Sequence, residues 1–325
     1  MSKRIPSTPL SRWIGTWLTH QRSLGRRYTE VEWVLNHLLR FSEASGAIDL
    51  DRVGFDRWCD SFRQLSATTR RHRQLAVHKF CRFRHRTEPG CFIPDPLYFV
   101  RWSPYRPPVI VEPEQVARML IAAALIVPTV TSPLLPAVMR IAVILLYTAG
   151  LRRGELVRLT LADVEPQSGL LRIRESKFHK SRLVPLSPDA SEALRAYLCH
   201  RTAAPLNADP AAPLLCCGHH GHHGYSGGGL GQLLRRLFIV ADVKDREGRR
   251  PRTHDLRHSF AVQALVRWYR TGADLQSSLP RLAMFMGHVS IVSTAHYLHF
   301  VPTVRALASA QFEAACGSVV PEGMS

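Results

Sequence analysis

The sequence predicts a mainly α-helical protein with a small β-sheet, divided into two domains. Before residue 88, apolar residues recur at helical spacing in four successive segments. Seven prolines then crowd into residues 89–113, which is typical of an extended connection between domains. Beyond residue 113 helical patterns continue, and two short stretches, residues 170–175 and 182–186, have the composition of β-strands.

The first domain, residues 1–88, is predicted to be a bundle of four helices. An apolar stripe at residues 10–18 marks the first helix, because its members follow the spacing of one helical face. The second helix is predicted to begin at Thr29, where Thr29 and Glu32 form a capping-box pattern, and to end at Gly46. The third covers residues 55–65, and the fourth runs from about residue 67 to residue 86.

The fourth predicted helix carries a high density of positive charge. Its cationic side chains are Arg70, Arg71, Arg73, Lys79, Arg82, Arg84 and Arg86. A solvated helical face would explain them, but seven cations with only Glu88 nearby repel one another. A polyanionic partner is therefore the more economical interpretation.

The composition of the whole chain indicates the same class of partner. The 325 residues are enough for two domains, and 43 Lys and Arg against 25 Asp and Glu give a net charge of +18 and a pI near 10.4. Such a balance is typical of proteins that bind phosphate-rich partners, although a merely soluble basic protein would share it. The apolar content of 46% supports folded cores.

Nothing in the sequence predicts a membrane segment or an oxidising compartment. The N-terminus lacks the apolar run of a signal peptide, and no segment reaches the roughly 18 apolar residues of a membrane helix. The seven cysteines are odd in number and scattered, which argues against a disulfide framework. We therefore expect a cytoplasmic, nucleoid-associated protein without a membrane partner.

The second domain is predicted to span residues 113–325, after a linker at residues 89–112. Helices are predicted at residues 113–127, 137–149, 188–200 and 230–240. The two predicted strands flank a turn, residues 176–181, that carries Lys177 and Lys180. The expected architecture is therefore helical with a small sheet at one edge.

The candidate catalytic residues lie in the stretch from His254 to Tyr297. His254, Arg257 and His258 have i, i+3, i+4 spacing, so they project from one side of a single helix. His288 follows a glycine, and Tyr297 comes nine residues later. Arginines and histidines without a carboxylate pair or a metal-ligand motif suit the dianionic transition state of phosphoryl transfer. The expected target is a phosphodiester.

Two earlier motifs complete a known pattern. Residues 148–156 read TAGLRRGEL, and residues 177–186 read KFHKSRLVPL. Together with the His-x-x-Arg, Gly-His and tyrosine motifs, they make the chain resemble the tyrosine recombinase (phage integrase) family. The resemblance implies an N-terminal four-helix core-binding (SAM-like) domain, a tyrosine-recombinase catalytic domain, and cleavage and rejoining of double-stranded DNA through a 3′-phosphotyrosyl intermediate. It implies no cofactor and no metal.

The resemblance also implies a role for each site residue. The catalytic set is Arg152, Lys177, His254, Arg257, His288 and Tyr297, supported by Glu155 and His258. The expected DNA contacts are Arg70, Arg71, Arg73, Lys79 and Lys180. Within the turn, Lys177 is the expected catalytic lysine and Lys180 the expected phosphate contact, but a flexible hairpin is able to present either.

A segment rich in cysteine and histidine, residues 215–224, has two interpretations. Two cysteines and four histidines supply ligands that zinc prefers, but their spacing is tighter than in the usual separated pairs. The alternative, which we prefer, is a disordered polar loop rich in glycine.

Three other questions stay open at this stage. A type IB topoisomerase shares the tyrosine chemistry, and a DNA-binding regulator that has lost catalysis shares the basic surface. An apolar stripe at residues 304–312 predicts a terminal helix that packs either on its own domain or on a neighbour in a homo- or hetero-tetramer on two DNA sites. By fold-level analogy, the host is a mobile element engaged in integration or transposition.

Overall fold

The computed structural model describes residues 8–26, 28–174, 181–218, 220–288 and 290–300. The chain forms two compact units that divide between Arg106 and Pro107. Each unit has its own apolar core. None of the described helices combines the length and the apolar character needed to cross a membrane.

The first unit contains the four expected helices. They are α1 (Pro9–Ser23), α2 (Thr29–Ala44), α3 (Arg52–Asp60) and α4 (Ala67–Arg84), followed by a 3₁₀ turn at Pro96–Tyr98. Their apolar faces meet in a core that includes Leu35, Trp58, Val77 and Phe80, each no more than 1% exposed. The mainly helical fold class is confirmed. Each helix has an apolar face, and the helices bury these faces by packing them against one another.

Helix α2 begins at Thr29 as predicted, but its N-cap and the start of α3 differ from the prediction. The capping box at Thr29 is wrong, because Tyr28 is the N-cap in a left-handed conformation and no side chain caps the helix. Helix α3 begins at Arg52, three residues earlier than predicted, because the Asp51 carboxylate accepts a 2.7 Å hydrogen bond from the Gly54 backbone N–H.

Arg84 does not belong to the exposed cations of α4. It is 6% exposed, and its guanidinium forms ion pairs with Asp49 and, at 2.7 Å, with Glu88. Part of the proline-rich segment also packs on this unit, since Phe99 lies in its core and the Arg71 guanidinium donates a 2.9 Å hydrogen bond to the Val100 carbonyl. The described cations of α4 therefore include some that stabilise the unit itself.

The second unit is also mainly helical. Its helices are α5 (Pro113–Ala124), α6 (Leu135–Thr148), α7 (Arg153–Leu156), α8 (Pro188–Ala203), α9 (Gly227–Val240), α10 (Asp255–Arg270), α11 (Leu275–Met286) and α12 (Val292–Ala295), with 3₁₀ turns at Leu161–Asp163 and His296–Phe300. Helix α6 is buried on nearly all sides, which explains why its sequence is almost entirely apolar.

Two small antiparallel sheets complete this unit. Strands β1 (Val164–Glu165), β2 (Leu170–Ile173) and β3 (Arg182–Pro185) lie in that order, and Ile173 pairs with Arg182 at the end of the β2–β3 ladder from which the connecting segment leaves. Strands β4 (Cys216–Cys217) and β5 (His223–Gly224) form the second sheet. The expectation of a disordered backbone across the cysteine- and histidine-rich segment is wrong at these two strands, because ladder hydrogen bonds and burial of Cys216 order them.

Candidate active site

Five segments of the second unit bring the candidate residues together. Arg152 caps α7 at its N-terminus, and His254 holds the same position before α10, whose first turn carries Arg257 and His258. His288 follows the C-terminal end of α11, and Tyr297 lies in the 3₁₀ turn after α12. Strand β3 contributes Arg182, which the sequence analysis did not single out.

Glu155 is the central acid of the site. Its side chain is 1% exposed and accepts hydrogen bonds from the Arg152 backbone N–H at 2.9 Å and the Arg152 Nη1 at 2.7 Å. Arg182 donates to both carboxylate oxygens, from Nη1 at 3.0 Å and Nη2 at 2.9 Å. Burial alone would raise the pKa of Glu155, but the hydrogen bonds from Arg182 and Arg152 outweigh it and lower the pKa to about 2. Glu155 is thus a fixed anion shared by two cations.

Arg257 is 1% exposed and is held by backbone carbonyls. Its Nη1 donates to the Gly150 carbonyl, and its Nη2 donates to the Met286 carbonyl at 2.6 Å. Desolvation, and then the charge of Arg152, lower the pKa of Arg257 to about 9, so the guanidinium stays protonated at neutral pH. A buried cation whose Nη atoms donate to neutral carbonyls is suited to an incoming anion.

The C-terminal end of α11 is a common anchor for three arginines. Three successive carbonyls accept hydrogen bonds there: Phe285 from Arg182 Nε at 2.9 Å, Met286 from Arg257 and Gly287 from Arg152 Nη2 at 2.9 Å. The last carbonyls of a helix lack partners within the helix and carry its negative dipole end, so guanidinium groups stabilise them. The arginines are thereby oriented around the turn that leads to His288.

Tyr297 lies against two histidine rings. It is 3% exposed, and its ring centroid is 5.4 Å from that of His258 and 6.1 Å from that of His288. His254 in turn lies 4.7 Å from His258. Desolvation raises the pKa of Tyr297, while Arg257 and Arg152 oppose that rise. The phenol is therefore protonated at neutral pH in the DNA-free protein.

The histidines are neutral for the same physical reasons. Desolvation followed by the charge of Arg257 lowers the pKa of His288 to about 4. Desolvation followed by the proximity of His254 lowers that of His258 to about 4. His254 is exposed at the surface, yet desolvation of its ring and then Arg257 lower its pKa as well. His288 is oriented by a 2.7 Å hydrogen bond between its Nδ1 and the Thr294 hydroxyl.

The structure brings together seven of the predicted residues within the second unit. Arg152, Glu155, His254, Arg257, His258, His288 and Tyr297 share the site just described. Lys177 and Lys180 lie outside the described residues. Arg70, Arg71, Arg73 and Lys79 belong to α4 of the other unit.

Those four cations of α4 differ in their surroundings. Lys79 is exposed, whereas Arg70 is half-buried. Arg73 lies over the rings of Trp33 and Phe62, with its guanidinium carbon 4.6 and 5.0 Å from their centroids. The Arg71 guanidinium donates hydrogen bonds to the backbone carbonyls of Phe99 and Val100. Among the described side chains, no group of three or more His, Cys, Asp or Glu lies close enough to hold a metal ion.

Two residues with roles in this geometry escaped the sequence analysis. Arg182 has a signal in the alternation of β3: side chains two residues apart face the same side, and Val184 is fully buried. The alternation of β3 in the sequence therefore predicts that the Arg182 side chain lies on the same side of the strand as Val184. Thr294 has no comparable signal, because its contact with His288 depends on how α12 packs.

Comparisons with known proteins agree with this geometry. A model of the phage integrase family matches residues 111–302. The putative integrase/recombinase y4rB of Sinorhizobium fredii (strain NBRC 101917 / NGR234) is 31% identical over 306 residues, which cover 91% of this chain and 95% of the relative. A second putative integrase/recombinase of that organism, y4rE, is 37% identical over 201 residues, or 62% of each chain. Tyrosine recombinase XerD of Caulobacter vibrioides is 32% identical over 239 residues, covering 73% of this chain and 72% of the relative.

Solved structures share the fold. The Tn1549 transposon integrase in complex with transposon right end DNA aligns with a TM-score of 0.61 at 18% identity, covering 94% of this chain and 99% of that chain. The XerH site-specific recombinase bound to palindromic difH substrate aligns with a TM-score of 0.59 at 20% identity, covering 87% and 78%. The family match over more than half of the chain, and the near full-length match to y4rB, show that this protein belongs to the phage integrase family of tyrosine recombinases.

Proposed function

We propose that this protein is a site-specific DNA recombinase that cleaves and rejoins double-stranded DNA through a covalent link to Tyr297. The observation that carries the proposal is the packing of Tyr297 against His258 and His288, beside two arginines oriented by the end of α11. The relatives named integrase or recombinase favour this function over a topoisomerase or an inactive regulator.

In the proposed reaction, the phenol oxygen of Tyr297 attacks the scissile phosphorus and the bond to the 5′ oxygen breaks. The products are a 3′-phosphotyrosyl link and a free 5′-hydroxyl, and attack by the 5′-hydroxyl of a partner strand reverses the step. Arg152 and Arg257 bind the two non-bridging oxygens with guanidinium N–H groups that the backbone carbonyls leave available. Lys177 protonates the leaving 5′ oxygen, and His288 donates to a non-bridging oxygen.

Two histidine rings follow one another from the Tyr297 ring toward the surface. The Tyr297 ring contacts His258, which contacts His254, and only His254 of these three is exposed. Because the histidine pKa values are lowered, the rings are neutral and able to accept a proton. We propose that His254 is the final acceptor and that His258 lies on the path. Since Tyr297 is 3% exposed, DNA binding must open the turn that carries it.

The assembly expected with this function is a homo- or hetero-tetramer on two DNA sites, with transposition or integration of a mobile element as its setting. The terminal segment predicted to pack either on its own domain or on a neighbouring protomer, residues 304–312, lies outside the described residues. The proposed DNA contacts are Arg70, Arg71, Arg73, Lys79 and Lys180, with Lys79 the most accessible of the described four.

The test is covalent trapping on nicked duplexes. A pool made from the DNA that flanks the gene, including any inverted repeats, is incubated with the protein, and adducts are resolved on a denaturing gel. Tyr297→Phe should bind DNA with unchanged affinity but form no adduct, because only the attacking oxygen is removed. Tyr269→Phe, a half-buried tyrosine on α10, is the matched control and should form adduct normally.

Each alternative gives a different result in the same assay. An adduct that persists in Tyr297→Phe would exclude this tyrosine as the nucleophile. DNA binding without any adduct would indicate a regulator, and relaxation of supercoiled plasmids regardless of sequence would indicate a topoisomerase.

A further inference from the structure

Arg182 is a charged side chain of the site that the proposed mechanism does not use. It is 11% exposed and touches two elements other than its own strand: α7 through Glu155, and the end of α11 through the Phe285 carbonyl. Three of its five guanidinium N–H groups donate to protein acceptors, and both Nη atoms donate to an anion, the Glu155 carboxylate, rather than to neutral carbonyls as in Arg257. These contacts indicate a role that acts through the neighbours of Arg182.

The first neighbour is Glu155, and the effect is one of charge. A carboxylate paired with Arg152 alone would cancel the charge of that guanidinium within hydrogen-bond distance. Arg182 binds both oxygens of the same carboxylate in a bidentate pair. The three groups together carry a net charge of about +1, so Arg152 keeps a positive field toward an incoming phosphate.

The second neighbour is the turn that leads to His288, and the effect is one of geometry. Gly287 has a φ of +66°, and a Cβ added there would lie 2.9 Å from Arg182 Nη1. The guanidinium thus packs directly against the residue whose carbonyl holds Arg152. Arg182 and Arg152 are consequently held against the same turn from different elements, β3 and the start of α7.

The third connection is through the strand itself. Arg182 pairs with Ile173 in the last ladder pair of β2 and β3 before the segment that connects them, and the sequence of that segment contains Lys177. One side chain therefore joins these strand ends to Glu155 and to the end of α11.

We propose that Arg182 is a positioning residue for DNA cleavage: it balances Glu155 so that Arg152 remains cationic toward the phosphate, and it fixes the paired ends of β2 and β3 to the turn before His288. The inference rests on the proposed function. If the inference is correct, the negative charge of Glu155 slows cleavage when Arg182 is absent. A purely structural role of Arg182 does not predict this effect.

The experiment measures single-turnover adduct formation on the trapped nicked duplex. Arg182→Met should slow adduct formation tenfold or more with DNA affinity unchanged within about twofold, by comparison with losses seen when groups that orient catalytic ligands are removed. Arg182→Lys, which keeps the charge but loses the bidentate geometry, should fall between this variant and the unmodified protein. Arg172→Met is the matched control, since Arg172 is an exposed arginine on the neighbouring strand whose ion pair among the described residues is with exposed Glu165; it should react normally.

The decisive variant is the double substitution Arg182→Met with Glu155→Gln. If Glu155 neutralises the charge of Arg152 when Arg182 is absent, removing the acid should restore part of the lost rate. The double variant should then form adduct at least threefold faster than Arg182→Met. A double variant as slow as or slower than Arg182→Met, or Arg182→Met indistinguishable from Arg172→Met, overturns the inference and leaves the proposed function intact.

If Arg182→Met does not fold, the intermediate rate expected of Arg182→Lys decides, and normal rates in that variant refute the role. Absence of adduct with the unmodified protein overturns the proposed function and this inference together.

Discussion

Arg257 is nearly inaccessible to solvent, yet both acceptors bound by its Nη atoms are backbone carbonyls. Removal of such a charge from water costs several kcal/mol unless another group compensates it. The C-terminal dipole of α11 supplies part of this compensation, and a phosphodiester would supply the rest. The residue is therefore arranged to bind an anion before any anion is present, which is the condition for preorganised catalysis.

Substitution of either arginine tests that arrangement. Arg152→Ala and Arg257→Ala should each slow adduct formation by about 10²-fold or more, because each removes a donor aimed at the transition state. Arg158→Ala, an exposed arginine in the same region, serves as control and should have no effect. Single-turnover trapping measures the rates, and near-normal cleavage by either variant would count against its assignment.

The lowered histidine pKa values make stability depend on pH. His288 has a pKa of about 4 in the folded protein and an ordinary value near 6.5 when unfolded. Between these values the unfolded chain binds more protons, so the free energy of unfolding should fall as pH falls from about 6.5 toward 4.

The effect should be visible in denaturant titrations at pH 7 and pH 5. His288→Asn should reduce the loss of stability between these two values by about 1 kcal/mol, after allowance for the partial exposure of the ring. His200→Asn, an exposed histidine at the end of α8, provides the comparison. Equal pH dependence in the two variants would contradict the lowered pKa of His288.

At the scale of elements, the end of α11 organises the site. Its last turn presents three successive carbonyls to three arginines that come from β3, α10 and the start of α7. A residue with positive φ is needed to close this helix and direct the chain toward His288, and Gly287 supplies it. The helix end acts here as a binding surface for cations and not merely as a boundary.

Gly287→Ala should therefore disturb the site more than a comparable change elsewhere. An alanine at positive φ costs about 1–2 kcal/mol, and here its Cβ would also displace the Arg182 guanidinium. Gly272→Ala is the matched control, because Gly272 closes α10 at a φ of +70° with nothing within 4 Å of the added Cβ. We expect both variants to lose stability in thermal unfolding, but only Gly287→Ala to slow adduct formation, by about tenfold. Equal cleavage rates would show that the contact with Arg182 is dispensable.

At the scale of the whole molecule, the net charge of +18 predicts binding that weakens steeply with salt. The structure distinguishes the cations that contribute. Lys79 is exposed on α4, whereas Arg84 of the same helix is buried in ion pairs with Asp49 and Glu88. Only the first is free to release counterions when it meets a phosphate.

The salt dependence of DNA affinity tests this distinction. Lys79→Ala should reduce the slope of log affinity against log salt by about 1, as expected for one lost phosphate contact. Arg84→Met should leave the slope unchanged but lower the stability of the first unit, since it leaves Asp49 without its buried partner. Fluorescence anisotropy over a salt series and thermal unfolding measure the two effects. A reduced slope in Arg84→Met would show that the ion pairs open on DNA.

Local patterns in the sequence were enough for the helical fold class and the β2–β3 hairpin, and the order of the motifs was enough to name seven candidate residues that the structure brings together. Spacing and motif order are properties of the chain itself. His254, Arg257 and His258 could be placed on one helical face from their separation alone. What the sequence did not reveal depends on contacts between distant segments. The burial of Arg84, the sharing of Glu155 by two arginines and the three carbonyls at the end of α11 each join residues between 27 and 135 positions apart, except for the local Arg152–Glu155 and Arg84–Glu88 pairs. Whether a cation faces DNA, a carboxylate or a helix end is decided by desolvation and packing, and these arise only when the tertiary structure forms.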